Sequence, residues 1–413
     1  MLSLADIRNA EQRIAPHIIR TPLVYSPTIS AMTGAEVWLK LETLQRAGSF
    51  KVRGATNKIL RTTDAVRLRG VVAASGGNHA QGVTVAAHSV GVPATIVMPL
   101  WASVSKQEAT RGYGAKVEIA GSSLEESIAR AAELSAGGMV FIHPYNDEDV
   151  IAGQGTIGLE ILTDLPTVET IIVPVGGGGL IAGIATAAKG IKPDIRIIGA
   201  QAAACPSAQA ARAAGSPVRI TAQPTIADGI RVLESGAIPF PMIRDLVDQV
   251  GLASEDEIAD AMLLLLERKH LVAEGAGAVP LAVLLNGSCT IPSGSTVVLV
   301  ISGGNVDSHL LFRIVRQAMT RQGRILRFSV RLEDRPGALA DLLRVIAEEG
   351  GNILHIHHEE GEEDVPVLET RVEMEIETRG DGHGDRMKRA IEKAGYKLND
   401  LLVERLSLKT QIR

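Results

Sequence analysis

One lysine, Lys51, stands between Phe50 and Val52 in the run Ser49-Phe50-Lys51-Val52-Arg53-Gly54-Ala55. An amine that condenses with a carbonyl must lose its proton near neutral pH, and an apolar surround favours this by penalising the charged form. The same neighbours suit a surface lysine whose stem lies along apolar side chains with its charge in water. By residue type alone the two readings are even. A second candidate is clearer. Gly176, Gly177, Gly178 and Gly179 follow a β-branched run and precede a helical one, so their backbone N–H groups, aided by the helix dipole, can receive an anion. A single phosphate suits this cup better than a dinucleotide: the run is not GxGxxG, and Gln201 rather than an acid follows the next strand. A plain tight turn is the weaker alternative.

The elements that must hold these groups alternate. The pattern predicts strands over 71–74, 94–98, 116–120, 139–142, 170–175, 195–200 and 296–301. It predicts helices over 78–89, 123–135, 153–162, 180–189, 256–271 and 305–321. Strands that are apolar throughout, rather than alternating, are buried on both faces, and strand–helix repetition implies an α/β fold of parallel sheets covered by helices. Ligands in such sheets bind beyond the carboxyl ends of the strands. Three glycine loops fall there: Ser75-Gly76-Gly77-Asn78, the run at 176–179, and Ser302-Gly303-Gly304-Asn305.

Near residue 323 the texture changes. Over 325–332 Leu326, Phe328, Val330 and Leu332 alternate with Arg327, Ser329 and Arg331. Pro336 then opens a helix with an apolar stripe of Leu339, Leu342, Leu343 and Ile346, ended by Gly350 and Gly351. Strands over 353–358 and 368–377 follow, the second with Leu368, Val372, Met374 and Ile376 inward and Glu369, Glu373, Glu375 and Glu377 toward water. A helix carrying Met387, Ala390, Ile391 and Ala394 and a strand over 396–403 complete a βαββαβ order. That is a ferredoxin-like antiparallel sheet with one wet face. His355, His357 and His358 raise a metal hypothesis, but strand alternation sets His358 opposite the other two, so a solvated edge is the better reading and no metal is expected.

The 413 residues are too many for one ordinary core, and a net charge of −5 from 42 basic and 47 acidic residues gives no reason to expect nucleic acid or an anionic membrane as partner. Cys205 and Cys289 form no CxxC pair, the first residues lack the pattern of a secretory signal, and runs such as that at 297–301 are far short of a membrane span. A soluble protein of the reducing cytoplasm is expected.

Taken in order, the runs at 49–55, Ser75-Gly76-Gly77-Asn78-His79-Ala80-Gln81-Gly82, 176–180 and 302–305 resemble the threonine dehydratase and serine racemase group of pyridoxal-phosphate enzymes. That group has the two-lobed tryptophan-synthase β-subunit fold. His143-Pro144-Tyr145, the run at 150–156 and Ala227-Asp228-Gly229 also match, and the resemblance covers roughly residues 5 to 320. It implies a catalytic domain over 1–322, with a small lobe at about 52–150 inserted in a larger one, and pyridoxal 5'-phosphate as cofactor. Lys51 would hold the cofactor and remove the substrate α-proton. Phe50 would pack on the ring, Asn78 would bond its phenolic oxygen and Ser302 would face its nitrogen. Gly176, Gly177, Gly178, Gly179 and the backbone of Leu180 would hold the phosphate. Ser75, Gly77, Asn78 and His79 would grip the substrate carboxylate, with His79 equally suited to a structural place at the helix start.

The implied reaction is conversion of L-threonine to 2-oxobutanoate and ammonia by dehydration followed by hydrolysis, with L-serine as a further substrate. A dehydratase of L-serine or 3-hydroxyaspartate is the near alternative, and a non-catalytic amino-acid sensor the distant one. Gly76 stands where racemases carry a serine, and Gln201 and Ser207 stand where their metal site has acids, so racemisation should be weak and a metal there is not expected. Gly275 departs from the usual proline and is expected to loosen its turn. Residues 325–405 resemble an ACT domain, through Asp334-Arg335-Pro336-Gly337-Ala338-Leu339 and Gly351-Asn352-Ile353. Such domains bind amino acids between subunits. That implies a homo-oligomer, dimer or tetramer, with isoleucine or valine near Gly337, Leu339, Asn352 and Ile353. A dimerising module without ligand is the alternative.

Overall fold

The computed structural model describes residues 2–359 and 365–399, with the backbone alone at 65, 66 and 359. The chain divides after Asp307 into two units.

In the first unit, strands β1 (Leu23–Tyr25) and β2 (Glu36–Leu41) begin one sheet. The chain then leaves to build a second from β3 (Val71–Ala74), β4 (Ala94–Met98), β5 (Lys116–Ile119) and β6 (Val140–Phe141), in the order β5-β4-β3-β6. It returns to the first with β7 (Thr170–Pro174), β8 (Arg196–Ala202), β9 (Gln249–Ala253) and β10 (Thr296–Ile301), giving the order β1-β2-β10-β7-β8-β9. All neighbours are parallel except β1 and β2. Strands β3, β4, β7 and β10 are buried along their whole length, as their unbroken apolar sequences require.

Several boundaries differ from the pattern. The helix expected over 153–162 runs from Glu148 to Asp164, its start capped by the Asp147 carboxylate, which accepts the N–H groups of Asp149 and Val150. Its glycines disguise it. They are there because neighbouring backbone comes close: a Cβ on Gly153 would stand 2.6 Å from the Gly54 Cα, and one on Gly155 2.8 Å from the carbonyl oxygen of Gly183 in the helix Gly179–Ile191. The helix expected from 305 starts at Ser308. Among the described residues no helix is long and apolar enough to cross a membrane.

The second unit holds β11 (Ile325–Glu333), β12 (Asn352–Glu359), β13 (Glu369–Glu377) and β14 (Leu398–Asn399), antiparallel in the order β12-β13-β11-β14. The expected last strand beyond 399 lies outside the described residues. Leu326, Phe328, Val330, Leu342, Ile346, Val372, Met374, Ile376, Met387 and Ile391 share one core between the sheet and the helices Ala338–Glu348 and Asp381–Lys393. The other face is not uniformly wet. The helix Ser308–Arg321 contacts β11, Ser329 is buried, and Glu375 is buried between the guanidinium groups of Arg316 and Arg327, the latter at 2.8 Å. Leu368, expected inward, is outside its strand and exposed. His355 and His357 lie opposite Glu375 and Glu373 on β13.

Candidate active site

Lys51 opens the helix Lys51–Arg61, and that helix is pinned from three sides by buried charge. Arg53 donates to Glu42 at 2.8 Å and to Glu160 at 2.6 Å, while Lys40 reaches Glu160 at 2.5 Å and the Thr21 carbonyl at 2.7 Å. All four side chains are essentially inaccessible to water. The charges balance two against two, which is what makes their burial tolerable. A helix held this way presents its first residue in a fixed place. The facing helix Asn78–Ser89 contributes Gly82, where a Cβ would come within 2.7 Å of the Lys51 Cβ.

Lys51 Nζ donates to the Pro144 carbonyl at 3.0 Å and stands 5.1 Å from the centre of the Phe50 ring. Burial pushes its pKa down to about 8, with Glu274 opposing the shift. The surface-lysine reading therefore fails: the amine is inside and is poised to lose its proton.

The amine borders a cavity of about 1140 Å³ whose walls include every expected cofactor and substrate residue of the first unit. The loop 75–78 follows β3, and Ser75 Oγ accepts the Gly77 N–H at 3.1 Å. His79 is buried, its Nε2 is 2.8 Å from the Ile142 carbonyl, and burial followed by the Lys51 charge lowers its pKa to about 3. That is a neutral structural imidazole. Ser302 directly follows β10, nearly fully buried, and its carbonyl accepts the Phe50 N–H at 3.1 Å.

The glycine loop between β7 and the helix Gly179–Ile191 is a built concavity. Gly178 has φ +100°, a left-handed conformation that glycine adopts without strain. A Cβ on Gly177 would sit 2.4 Å from the Tyr145 ring, and one on Gly179 2.9 Å from the Tyr145 carbonyl oxygen. Backbone N–H groups at a helix start, bare of side chains, suit a phosphate. A lowered lysine, an aromatic ring beside it and this cradle in one cavity fit pyridoxal phosphate.

Two partners were not picked out from the sequence. Glu274 is buried in the cavity wall and accepts the Asn78 Nδ2–H at 2.6 Å; burial, then the nearby Asp228, raises its pKa to about 7. Asn305 donates to Asn78 Oδ1 at 2.8 Å. Together they fix the Asn78 amide with one N–H left over. The visible signal for Glu274 was a lone acid in the small-residue run Ala273-Glu274-Gly275-Ala276-Gly277. Gly275 itself is not a loosened turn. A Cβ there would meet the Ile226 carbonyl oxygen at 2.4 Å, so close backbone approach demands glycine. Gln201 spends its amide on three backbone groups, accepting the N–H of Ala208 and Gln209 and donating to the Val175 carbonyl, each at 3.1 Å.

In the second unit Gly337 has φ +93° and caps the helix that starts at Ala338, two residues after Pro336. Leu339 and Ile353 pack partly buried on the core of that unit, and Asn352 donates to Glu377 at 2.9 Å.

The chain is similar to several known proteins. The L-threonine ammonia-lyase of Thermotoga maritima is 45% identical, covering 96% of this chain and 99% of its own. That of Geobacter sulfurreducens is 45% identical over 96% and 98%. Among solved structures, maize serine racemase superposes with a TM-score of 0.73 at 38% identity, covering 78% of this chain and 99% of its own. The processed form of threonine deaminase isoform 2 from Solanum lycopersicum gives 0.73 at 34%, covering 76% and 92%. Residues 326–393 match the ACT domain. Residues 14–303 match the pyridoxal-phosphate dependent enzymes, and the chain belongs to that family.

Proposed function

We propose that this chain dehydrates and deaminates L-threonine to 2-oxobutanoate and ammonia, the water lost in the first stage being taken up again in the second, and acts likewise on L-serine to give pyruvate. The observation that carries the reading is the buried, readily deprotonated Lys51 amine in the same cavity as the four-glycine cradle. Full-length likeness to two L-threonine ammonia-lyases supports the choice of substrate.

When bound, the cofactor supplies the carbonyl that takes up the substrate amine and the sink for charge left at the α-carbon. The protein does the rest. Backbone N–H groups of 176–180 would hold the phosphate and Phe50 would pack on the ring. The spare Asn78 N–H would meet the phenolic oxygen. Ser302 would offer the ring nitrogen a hydroxyl, which, unlike a carboxylate, cannot stabilise a full positive charge there, so that expulsion of the β-hydroxyl would better relieve charge at the α-carbon. The loop with Ser75, Gly77, Asn78 and His79 holds the carboxylate. Lys51 Nζ, uncharged, would take the α-proton, and this proton balances the one with which the β-hydroxyl leaves as water, so the amine ends uncharged again. The released enamine tautomerises and adds water, giving 2-oxobutanoate and ammonia. Gly76 supplies no proton donor on the opposite face, which disfavours racemisation.

We assign catalysis to residues 1–307, short of the expected 1–322, with 52–150 as the small lobe, and regulation to the unit that follows, over 325–405, where isoleucine or valine would bind near Gly337, Leu339, Asn352 and Ile353 between subunits of a homo-oligomer. A role in isoleucine biosynthesis follows from that effector. Buried, unpaired Cys205 and Cys289 support a cytoplasmic setting. The test is Lys51→Ala: the purified protein should lose its yellow colour and its 2-oxo acid production, whereas a colourless wild type that yields no 2-oxo acid from threonine or serine would refute the reading.

A further inference from the structure

We propose that the Nε2–H of His143 is a hydrogen-bond donor to an oxygen of the amino-acid substrate. This rests on the reaction proposed above but concerns a residue which that reading leaves without a role.

His143 lies two residues beyond β6, whose Phe141 is paired with Val72 of β3. Continued in register, His143 comes level with Ala74, beside the loop that begins at Ser75. Its neighbour Pro144 accepts the Lys51 amine. The ring stands edge-on between Phe141, 6.0 Å away, and Tyr145, 4.8 Å away. Its tautomer is set by the backbone. Nδ1 accepts the Asn146 N–H at 2.8 Å and the Tyr145 N–H at 3.2 Å. A nitrogen that accepts carries no proton, so the single proton of the neutral ring is on Nε2.

The ring is neutral for two reasons. Burial comes first and the Lys51 charge second, and together they lower its pKa to about 4. It therefore offers a donor and no acid. Among the described residues Nε2–H has no acceptor, yet the side chain lines the cavity. A half-buried donor facing a cavity is completed by whatever oxygen enters there. Two oxygen sources must be separated. The cofactor phosphate belongs to the glycine cradle, where the ring of Tyr145 lies on Gly177, and His143 meets that ring edge-on, 4.8 Å away. The substrate's carboxylate or β-hydroxyl belongs to the side of Ser75. Position selects the substrate.

Two variants divide the ring's two jobs. His143→Asn puts an amide oxygen where Nδ1 accepts and removes the distal donor. His143→Gln keeps a distal N–H and loses the acceptor. With the holoenzyme, amino-acid binding is read by titrating the cofactor absorbance with L-threonine and with L-2-aminobutyrate, which lacks the hydroxyl. H143N should bind L-threonine about tenfold to a hundredfold more weakly, with a matching rise in KM, near-wild-type cofactor affinity and a melting temperature unchanged above neutral pH. H143Q should keep most of the L-threonine affinity while melting lower. Equal weakening of both ligands identifies the carboxylate as acceptor; weakening of L-threonine alone identifies the hydroxyl. The proposal is overturned if H143N binds L-threonine like wild type, or if its only losses are in cofactor affinity or melting temperature. Because the titration needs no turnover, a wild type that binds L-threonine but yields no 2-oxobutanoate would refute the proposed reaction and leave this result standing.

Discussion

Three titratable groups near Lys51 are shifted, and in opposing directions. His79 and His143 are held near 3 and 4, below their usual 6.5, while Glu274 is raised from 4.5 to about 7. The unfolded chain takes up protons below pH 6.5 that the two folded imidazoles refuse, so both destabilise the fold on acidification through 6.5 to about 4. Glu274 acts the other way: the folded carboxyl keeps a proton that the unfolded one releases, so its contribution is lost as pH rises from 4.5 to about 7. The melting temperature of H143N should therefore fall less steeply than that of wild type between pH 6.5 and 4.5, as scanning calorimetry would show; identical slopes would mean that the imidazole titrates normally. The glycine cradle was legible in its own run, whereas Lys51, which by residue type reads equally well as a surface lysine, and Asn78 stood out only through the ordered resemblance of their runs. Glu274 and Asn305 were not legible, because they meet Asn78 across 196 and 227 residues of sequence, a distance that no local pattern spans.

At the scale of elements, close approach and buried charge decide what local composition leaves open. Gly177→Ala drives a methyl into the rigid Tyr145 ring, so cofactor affinity measured by absorbance titration should drop about tenfold or more; retention within twofold would show that the loop is not the phosphate site. Arg53→Met leaves Glu42 and Glu160 short of a partner, and removing one member of a buried ionic group costs about 3–5 kcal/mol. Denaturant unfolding should show that loss. The doubly buried strands were visible as unbroken apolar runs. Strand β2 was not expected: its Lys40 reads as a surface residue until Glu160, 120 residues later, is seen to receive it. Likewise β1, three residues long and half open to solvent, has no pattern to detect.

At the scale of the molecule, a catalytic unit is followed by an ACT domain on one chain. The change from fully apolar to alternating strands marked that transition in the sequence. The helix Ser308–Arg321, read as closing the first part, contributes instead to the second unit, where its Arg316 meets Glu375. Amphipathicity shows that a helix has an apolar side and leaves open which sheet that side covers. If the second unit senses amino acids, saturating isoleucine or valine should change the KM for L-threonine while leaving the cofactor absorbance of the substrate-free enzyme unaltered. Steady-state kinetics identical with every branched-chain amino acid would remove the regulatory role.

The attachment of the cofactor can be read directly. Reduction of the purified protein with borohydride, followed by proteolysis and mass spectrometry, should place a single phosphopyridoxyl group on the peptide containing Lys51. An adduct on another lysine, or none on a yellow protein, would contradict the account.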